Sequence, residues 1–473
     1  MSKVVKGIFW SSIERFSVQG INFILGILLA RIVSPDSYGL VVMVQVLITI
    51  SQVFIDGGFA NALIQKQDRT EKDYSTVFIF NMGIAIVIYS LLFFLAPFIS
   101  SFYSKPELTL ITRVLSLSII ISSLSIIQKT RLTINLDFKT QAKAGLLSVV
   151  ISGVLGLSAA YKGYEAWALV IQSLSGSLVL SLCLWGFSWW WPELTFSYNS
   201  FRNLFKFGSK LLVSNLTTTI FVNLYNIIIG KHYSASQLAF YNRAFTLVQY
   251  PSTFLESIFN RTFYPIECEM QNDRKKLVNT FYRFSHFSCY IIIPSMILVI
   301  IMSDSIISII LTEKWLPTAK LISILGLNFM WFPLLDQLDM LLVVTGRTDL
   351  TMKSTVIRRV ASLIILVSTI SFGLEVICWG LVAGMVMELV VSYYYVSKEI
   401  DIRFVDMVSN FYDIFITGIV LSIVLFVIRI IVGIGMYALI ISILSYLIIL
   451  FFSSYFFKSQ ELAYIKKIIN RTL

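Results

Sequence analysis

Charge is scarce in this chain: Asp, Glu, Lys and Arg make up 13% of its 473 residues, hydrophobic types 57%, and the mean hydropathy is +0.82. That balance excludes a soluble globular protein, whose surface needs far more ionisable side chains. Histidine is rarer still, with His232 and His286 alone and no HExxH or CxxC context, which argues against a metal site. The four cysteines, Cys183, Cys268, Cys289 and Cys378, have no paired spacing and read as packing residues rather than a disulfide framework. A GxxxxGKS loop is missing, so there is no sign of nucleotide-driven transport. With no nucleophile elbow and no large polar loop, no catalytic residue is assigned, the chain is not expected to be an enzyme, and no cofactor is expected.

What fills the chain is a succession of apolar runs near the ~20 residues that a bilayer-spanning helix requires. They predict an all-α integral membrane protein with fourteen transmembrane helices. Six fall between 8 and 188, six between 208 and 397, and two further helices at about 410 to 432 and 435 to 457. The segment 238 to 266 is polar and holds Pro251; hydropathy alone would drop it, and its repeat partner at 38 to 64 retains it. Lys3 and Lys6 ahead of the first run resemble a signal peptide, but no small-residue cleavage site follows and the run contains Glu14 and Arg15, so an uncleaved first helix is expected.

Basic residues give an independent test of topology. With a cytoplasmic N-terminus, most of the 37 Lys and Arg fall in alternate connections, as in Lys66, Arg69, Lys72 or Arg274, Lys275, Lys276; the opposite side receives few, such as Lys105, Lys162 and Lys231. This is the positive-inside pattern, and it places both termini in the cytoplasm. The net charge of +11 is assigned to orientation and to anionic membrane lipids, with no nucleic-acid partner. Trp189, Trp190 and Trp191, followed by Pro192, read as an interfacial belt after the sixth helix.

The segment ILLARIVSPDSYGL (Ile27 to Leu40) has a counterpart two hundred residues on, IIIGKHYSASQLAF (Ile227 to Phe240). The same offset pairs Gln19 with Thr219, Arg31 with Lys231, Ser34 with Ser234, and Asp56 with Glu256. Two copies of a membrane unit are therefore expected: an N-terminal six-helix lobe at 1–200, a second at 201–400, and two extra helices with a tail at 401–473. An even number of helices per copy relates the lobes by an axis along the membrane normal, with a cavity expected at their interface.

Four helices carry polar stripes at helical spacing. Ser11, Arg15, Gln19, Asn22 and Gly26 share one face of the first, and Gln45, Thr49, Gln52 and Asp56 one face of the second. Asn215, Thr219, Asn223 and Asn226 repeat the first stripe, while Gln249, Ser252, Glu256 and Asn260 repeat the second. A single stripe is commonly helix–helix glue; four in repeat-related positions point to a transport pathway. Intramembrane charge costs at least ~2.5 kcal/mol, so it faces a partner or a wet interior. Arg15, Arg243 and Arg261, with Lys210 near the cytoplasmic end, could line a cavity for an anionic group such as a phosphate, which guanidinium engages bidentately. Their bland alternatives are pairing with Glu14, snorkelling, and an interfacial position. Arg113 and Arg429 read as edge residues. Asp56 and Glu256 are the candidates for coupling to an ion, and Asp336 and Asp339 read as cavity-lining or salt-bridging.

The runs LLARIVSPDSYGLVVM, DGGFANALIQKQD and YSTVFIFNMGIAI, with FYSKPEL, YKGYEAWALVIQ and TGRTDL, resemble the polysaccharide-exporter branch of the multidrug/oligosaccharidyl-lipid/polysaccharide superfamily. Within it the chain looks most like Wzx-type flippases and the colanic-acid and teichuronic-acid exporter group. The resemblance implies a bacterial inner-membrane protein that moves undecaprenyl-diphosphate-linked oligosaccharide (O-antigen, capsule or exopolysaccharide repeat units) to the periplasmic leaflet by alternating access, without ATP hydrolysis. It implies a cavity bordered by helices 1, 2, 7 and 8, onto whose cationic lining Arg15, Lys210, Arg243 and Arg261 map by helix and depth. A proton or sodium ion and polysaccharide polymerase machinery are further expected partners. Other readings stay open: a drug or cation antiporter, which would want an acidic cavity, a flippase for a lipid-linked peptidoglycan precursor, and a membrane glycan polymerase.

Overall fold

The computed structural model describes residues 3–193 and 195–456, with the side chains of 3–9, 11–15 and 254–262 outside the description. Every regular element among the described residues is helical. The long helices are α1 (Lys3–Ile32), α2 (Pro35–Gln65), α3 (Glu71–Tyr103), α4 (Leu108–Ile134), α5 (Phe138–Tyr161), α6 (Ala166–Ser188) and α7 (Tyr198–His232). They continue with α8 (Ala235–Glu269), α9 (Arg274–Ile301), α10 (Pro317–Val344), α11 (Thr348–Phe372), α12 (Leu374–Glu399), α13 (Tyr412–Val432) and α14 (Met436–Phe456).

Among the described residues, twelve helices are long and apolar enough to cross a membrane, which makes this a multi-pass membrane protein. The two long helices outside the twelve are α1, whose apolar stretch is the shorter Phe16–Ile32, and α8, which is polar and holds Pro251 and Pro265. The expected fourteen spans are thus matched by twelve on length and apolarity. Lipid-compatible surface is plentiful: Ile430, Ile431 and Phe456 are all more than two-thirds exposed on α13 and α14.

Local chemistry explains the helix ends around the repeat. Ser34 precedes Pro35 and accepts from the Ser37 amide at 3.4 Å, the arrangement expected of an N-cap followed by proline at the first helical position. Its counterpart Ser234 accepts from the Gln237 amide at 3.2 Å. Farther along, α2 is interrupted after Asp56 by Gly57 (φ 53°) and Gly58 (φ 72°), left-handed positions that glycine adopts without steric cost.

The chain forms two compact units, Met1–Ala239 and Phe240–Leu473. Within the first unit α7 packs along α2 and α3. Several apolar cores hold that unit. Phe59, Leu63, Tyr74, Val77, Ile127, Trp190 and Leu204 join α2, α3, α4 and α7. Leu29, Val33, Ala159, Ala160, Ala168 and Leu169 join α1, α5 and α6, where small residues let the backbones approach.

The connection from α6 to α7 is strapped onto the first unit. Trp190 donates from Nε1 to Glu71 Oε2 at 2.7 Å, and Arg131 engages the same carboxylate at 2.9 and 3.0 Å. The amides of Glu193 and Ser197 donate to Ser75 Oγ and Thr76 Oγ1, both at 3.0 Å. Trp190 therefore departs from the expected interfacial belt: it is 6% exposed, while Trp189 and Trp191 are 86% and 74% exposed.

The second unit centres on α9, α10, α12 and α13, with Leu277, Phe281, Met296, Leu338, Leu341 and Val396 in its core. Several of its internal charges are paired. Arg358 Nη2 lies 2.7 Å from Asp339 Oδ2, and Ser392 donates to Asp339 Oδ1 at 2.9 Å, tying α11, α10 and α12 together. His286 meets Asp413 at 2.9 Å. Arg429, expected as an edge residue, pairs with Asp304 and donates to the Ile301 carbonyl at 3.1 Å.

Candidate functional site

In the first unit, α2 and α7 converge because three glycines let them. A Cβ at Gly58 would stand 2.6 Å from the Gly208 carbonyl oxygen, and one at Gly208 would stand 2.8 Å from that of Gly57. Beyond this crossing the same two helices border a cavity of about 440 Å³ lined by Thr49, Gln52, Val53 and Asp56 of α2 and Asn215, Thr218 and Thr219 of α7. That size falls within the ~300–1,000 Å³ typical of small-molecule sites.

Helical periodicity puts these side chains on one wall each. Thr49, Gln52 and Asp56 step by three and four along α2; along α7, Thr218 and Thr219 lie three and four residues from Asn215. The cavity is thus wet on both sides although its helices are apolar enough to cross a membrane. Asp56 is its single carboxylate, and none of its described lining residues is basic. The Oδ1 atom of Asp56 is buried without a hydrogen-bond partner, a state that costs about 1–3 kcal/mol for a polar group and more for a charged one.

Of the residues expected to bind substrate, Gln52, Asn215 and Thr219 are brought together here with Asp56. Asn223 lies one turn beyond Thr219, half-buried, and spends its amide on the Thr219 carbonyl at 2.9 Å. Lys210 is exposed on α7, and Gln19 and Asn22 are exposed on α1, none of them lining this cavity. Arg243 and Gln249 belong to the second unit and are half-buried on α8, where the Arg243 guanidinium sits 5.7 Å from the Trp315 ring centroid. The side chains of Arg15, Glu256 and Arg261 lie outside the described residues. Thr218, which the stripe reading passed over, stands three residues from Asn215 on the same face; the run Thr217–Thr218–Thr219 was the available signal.

At the other end of α2 the first unit is closely pinned. Gly39 packs so tightly on Ala235 that a Cβ would fall 1.9 Å from its carbonyl oxygen. Asp36 accepts from Ser236 at 3.4 Å and faces Lys105 at 3.5 Å, while Lys231 donates to the Phe102 carbonyl at 2.5 Å. The α7–α8 turn is thereby fastened to α2 and to the end of α3. The cavity lies toward the opposite, Gly58 end of α2.

Comparison with known proteins gives a consistent family. A family model described as polysaccharide biosynthesis protein matches residues 28–320. The teichuronic acid biosynthesis protein TuaB of Bacillus subtilis is 25% identical over 353 residues, 74% of this chain and 72% of its own length. The lipopolysaccharide biosynthesis protein WzxC of Escherichia coli is 24% identical over 409 residues, covering 84% and 82%. The succinoglycan biosynthesis transport protein ExoT of Rhizobium meliloti is 21% identical over 325 residues, 69% and 66%. Among solved structures, the lipid II flippase MurJ in an inward closed conformation has a TM-score of 0.75 at 14% identity, covering 96% of this chain and 99% of its own. An inward-facing multidrug resistance MATE family transporter of the MOP superfamily has a TM-score of 0.63 at 15% identity, covering 84% and 98%. These two likenesses establish the fold.

Proposed function

This chain belongs to the polysaccharide biosynthesis protein family, and we propose on that premise that it is a flippase for undecaprenyl-diphosphate-linked oligosaccharide. It carries the repeat unit of an O-antigen, capsule or exopolysaccharide across the bacterial inner membrane by alternating access, with both termini cytoplasmic and fourteen spans once α1 and α8 are counted. The observation that carries this reading is the polar cavity of α2 and α7 inside helices otherwise fit for lipid. Asn, Gln and Thr there can replace the water that a glycan sheds on entering. Relatives named for teichuronic acid, lipopolysaccharide and succinoglycan biosynthesis support a surface glycan as cargo.

The diphosphate is assigned to four basic side chains, Arg15 on α1, Lys210 on α7, and Arg243 and Arg261 on α8. The polyprenyl tail stays in lipid, where burying it would gain nothing. Deleting the gene tests the function directly: lipid-linked oligosaccharide should accumulate on the cytoplasmic leaflet, identifiable by mass spectrometry of extracted lipid, while surface glycan falls. A deletion strain with unchanged lipid pools and full surface glycan would sink the proposal.

Asp56 favours one other reading, a cation or drug antiporter, for which an acidic cavity is the natural lining. Under that reading the deletion strain becomes drug-sensitive and its glycan is normal.

A further inference from the structure

We propose that the α2–α7 cavity is a sugar subsite specific for hydroxyl-bearing, uncharged rings, and that it excludes the diphosphate; this rests on the flippase reading. The argument is a balance of donors and acceptors. Thr49 already gives its hydroxyl proton to the Gln45 carbonyl at 2.8 Å, and Thr218 gives its own to the Ser214 carbonyl at 3.1 Å. Both hydroxyls therefore offer the cavity lone pairs only. Asp56, when ionised, is acceptor-only, and its Oδ1 lacks a donor.

The wall is acceptor-rich, so it selects a ligand rich in donors. A sugar ring presents several hydroxyl donors for such a wall. Gln52 and Asn215 can donate or accept, which suits the ring and glycosidic oxygens, and Val53 supplies an apolar patch for a C–H face. A diphosphate brings only acceptors and negative charge. Against Asp56, with no described basic lining residue, it would be repelled. A uronic acid placed here meets the same objection.

The test uses the full-length purified protein and three probes: undecaprenyl diphosphate bearing a neutral disaccharide, the same lipid with a uronic acid as the terminal sugar, and bare undecaprenyl diphosphate. Lipid retention is read by native mass spectrometry. The wild type should retain the neutral glycolipid about tenfold better than the bare lipid, the scale of one or two hydrogen bonds to a charged acceptor. The uronic form should be held no better than the bare lipid. Asp56→Asn should erase the neutral preference and admit the uronic form. Thr218→Val, which removes one acceptor at constant shape, should reduce the preference about threefold and serves if Asp56→Asn fails to fold. Equal retention of neutral and bare lipids by the wild type, or an Asp56→Asn loss that falls alike on both, overturns the subsite. Retention of none of the three by the wild type instead overturns the flippase reading itself.

Discussion

The carbonyl oxygen of Gly208 stands 2.6 Å from the place a Cβ on Gly58 would occupy, so α2 and α7 touch backbone to backbone where the left-handed turn breaks α2. Nothing larger than hydrogen fits at either position without moving a helix. The contact fixes the distance between the two polar walls that follow it.

Gly58→Ala and Gly208→Ala should each lower stability by about 1–3 kcal/mol, the usual cost of overpacking, and Gly58→Ala more so because its φ is positive. Gly83→Ala is the control, since nothing lies within 4 Å of its would-be Cβ. Fluorescence-detected size-exclusion after a heat step reads the difference. A Gly208→Ala protein as stable as the control would remove the crossing from the account of the cavity.

Loss of Arg358 should unfold part of the second unit. Its guanidinium is 7% exposed and bonded to Asp339, and stranding the partner of a buried ion pair costs about 3–5 kcal/mol. Asp339 is itself a quarter exposed, so the lower end of that range is expected for Arg358→Met. The double variant Arg358→Met, Asp339→Leu should recover much of the loss in detergent thermostability, as neither charge is left alone.

Replacing Trp190 with Phe should cost about 1.5–3 kcal/mol, because the indole N–H bond to the Glu71 carboxylate goes while ring packing stays. Trp189→Phe and Trp191→Phe should be near neutral, both rings being largely exposed. Thermal melts of the three single variants distinguish a strap from a belt of interchangeable aromatics.

Export should depend on the basic residues one at a time. Alanine at Arg15, Arg243 or Arg261 is expected to reduce surface glycan severalfold at unchanged protein level, since one lost guanidinium–phosphate contact is worth about 1.5–3 kcal/mol. Full export in all three variants would detach the diphosphate from these side chains.

Much of this architecture was legible because membrane helices write themselves twice, once in length and once in periodicity. Thr49, Gln52 and Asp56 could be placed on one face from spacing alone, and so could Asn215 and Thr219. Their meeting was only implied by the family resemblance; how closely they approach depends on Gly58 and Gly208, residues whose contribution is a distance rather than a chemistry. Trp190 was misplaced for a related reason: three identical side chains in a row share one local signal, and only Glu71, far off in sequence, singles out the middle one. Arg429 stands in the last turn of its helix, and its partner Asp304, more than a hundred residues away, left no local signal. Polarity lowers the hydropathy of α8, which is helical over Ala235–Glu269 but is not among the twelve helices apolar enough to span.

The fastening of α7 into the first unit bears on how the protein is made. Ribosomes deliver Thr49, Gln52 and Asp56 to the bilayer well over a hundred residues ahead of Asn215 and Thr219. At ~5–20 residues per second, α2 waits roughly ten to thirty seconds for the helix that completes its polar wall. In that interval its carboxylate must borrow a temporary neighbour, from the translocon, from water, or from a helix already inserted. The first half of the nascent chain is therefore unfinished at the moment its six helices are all in place.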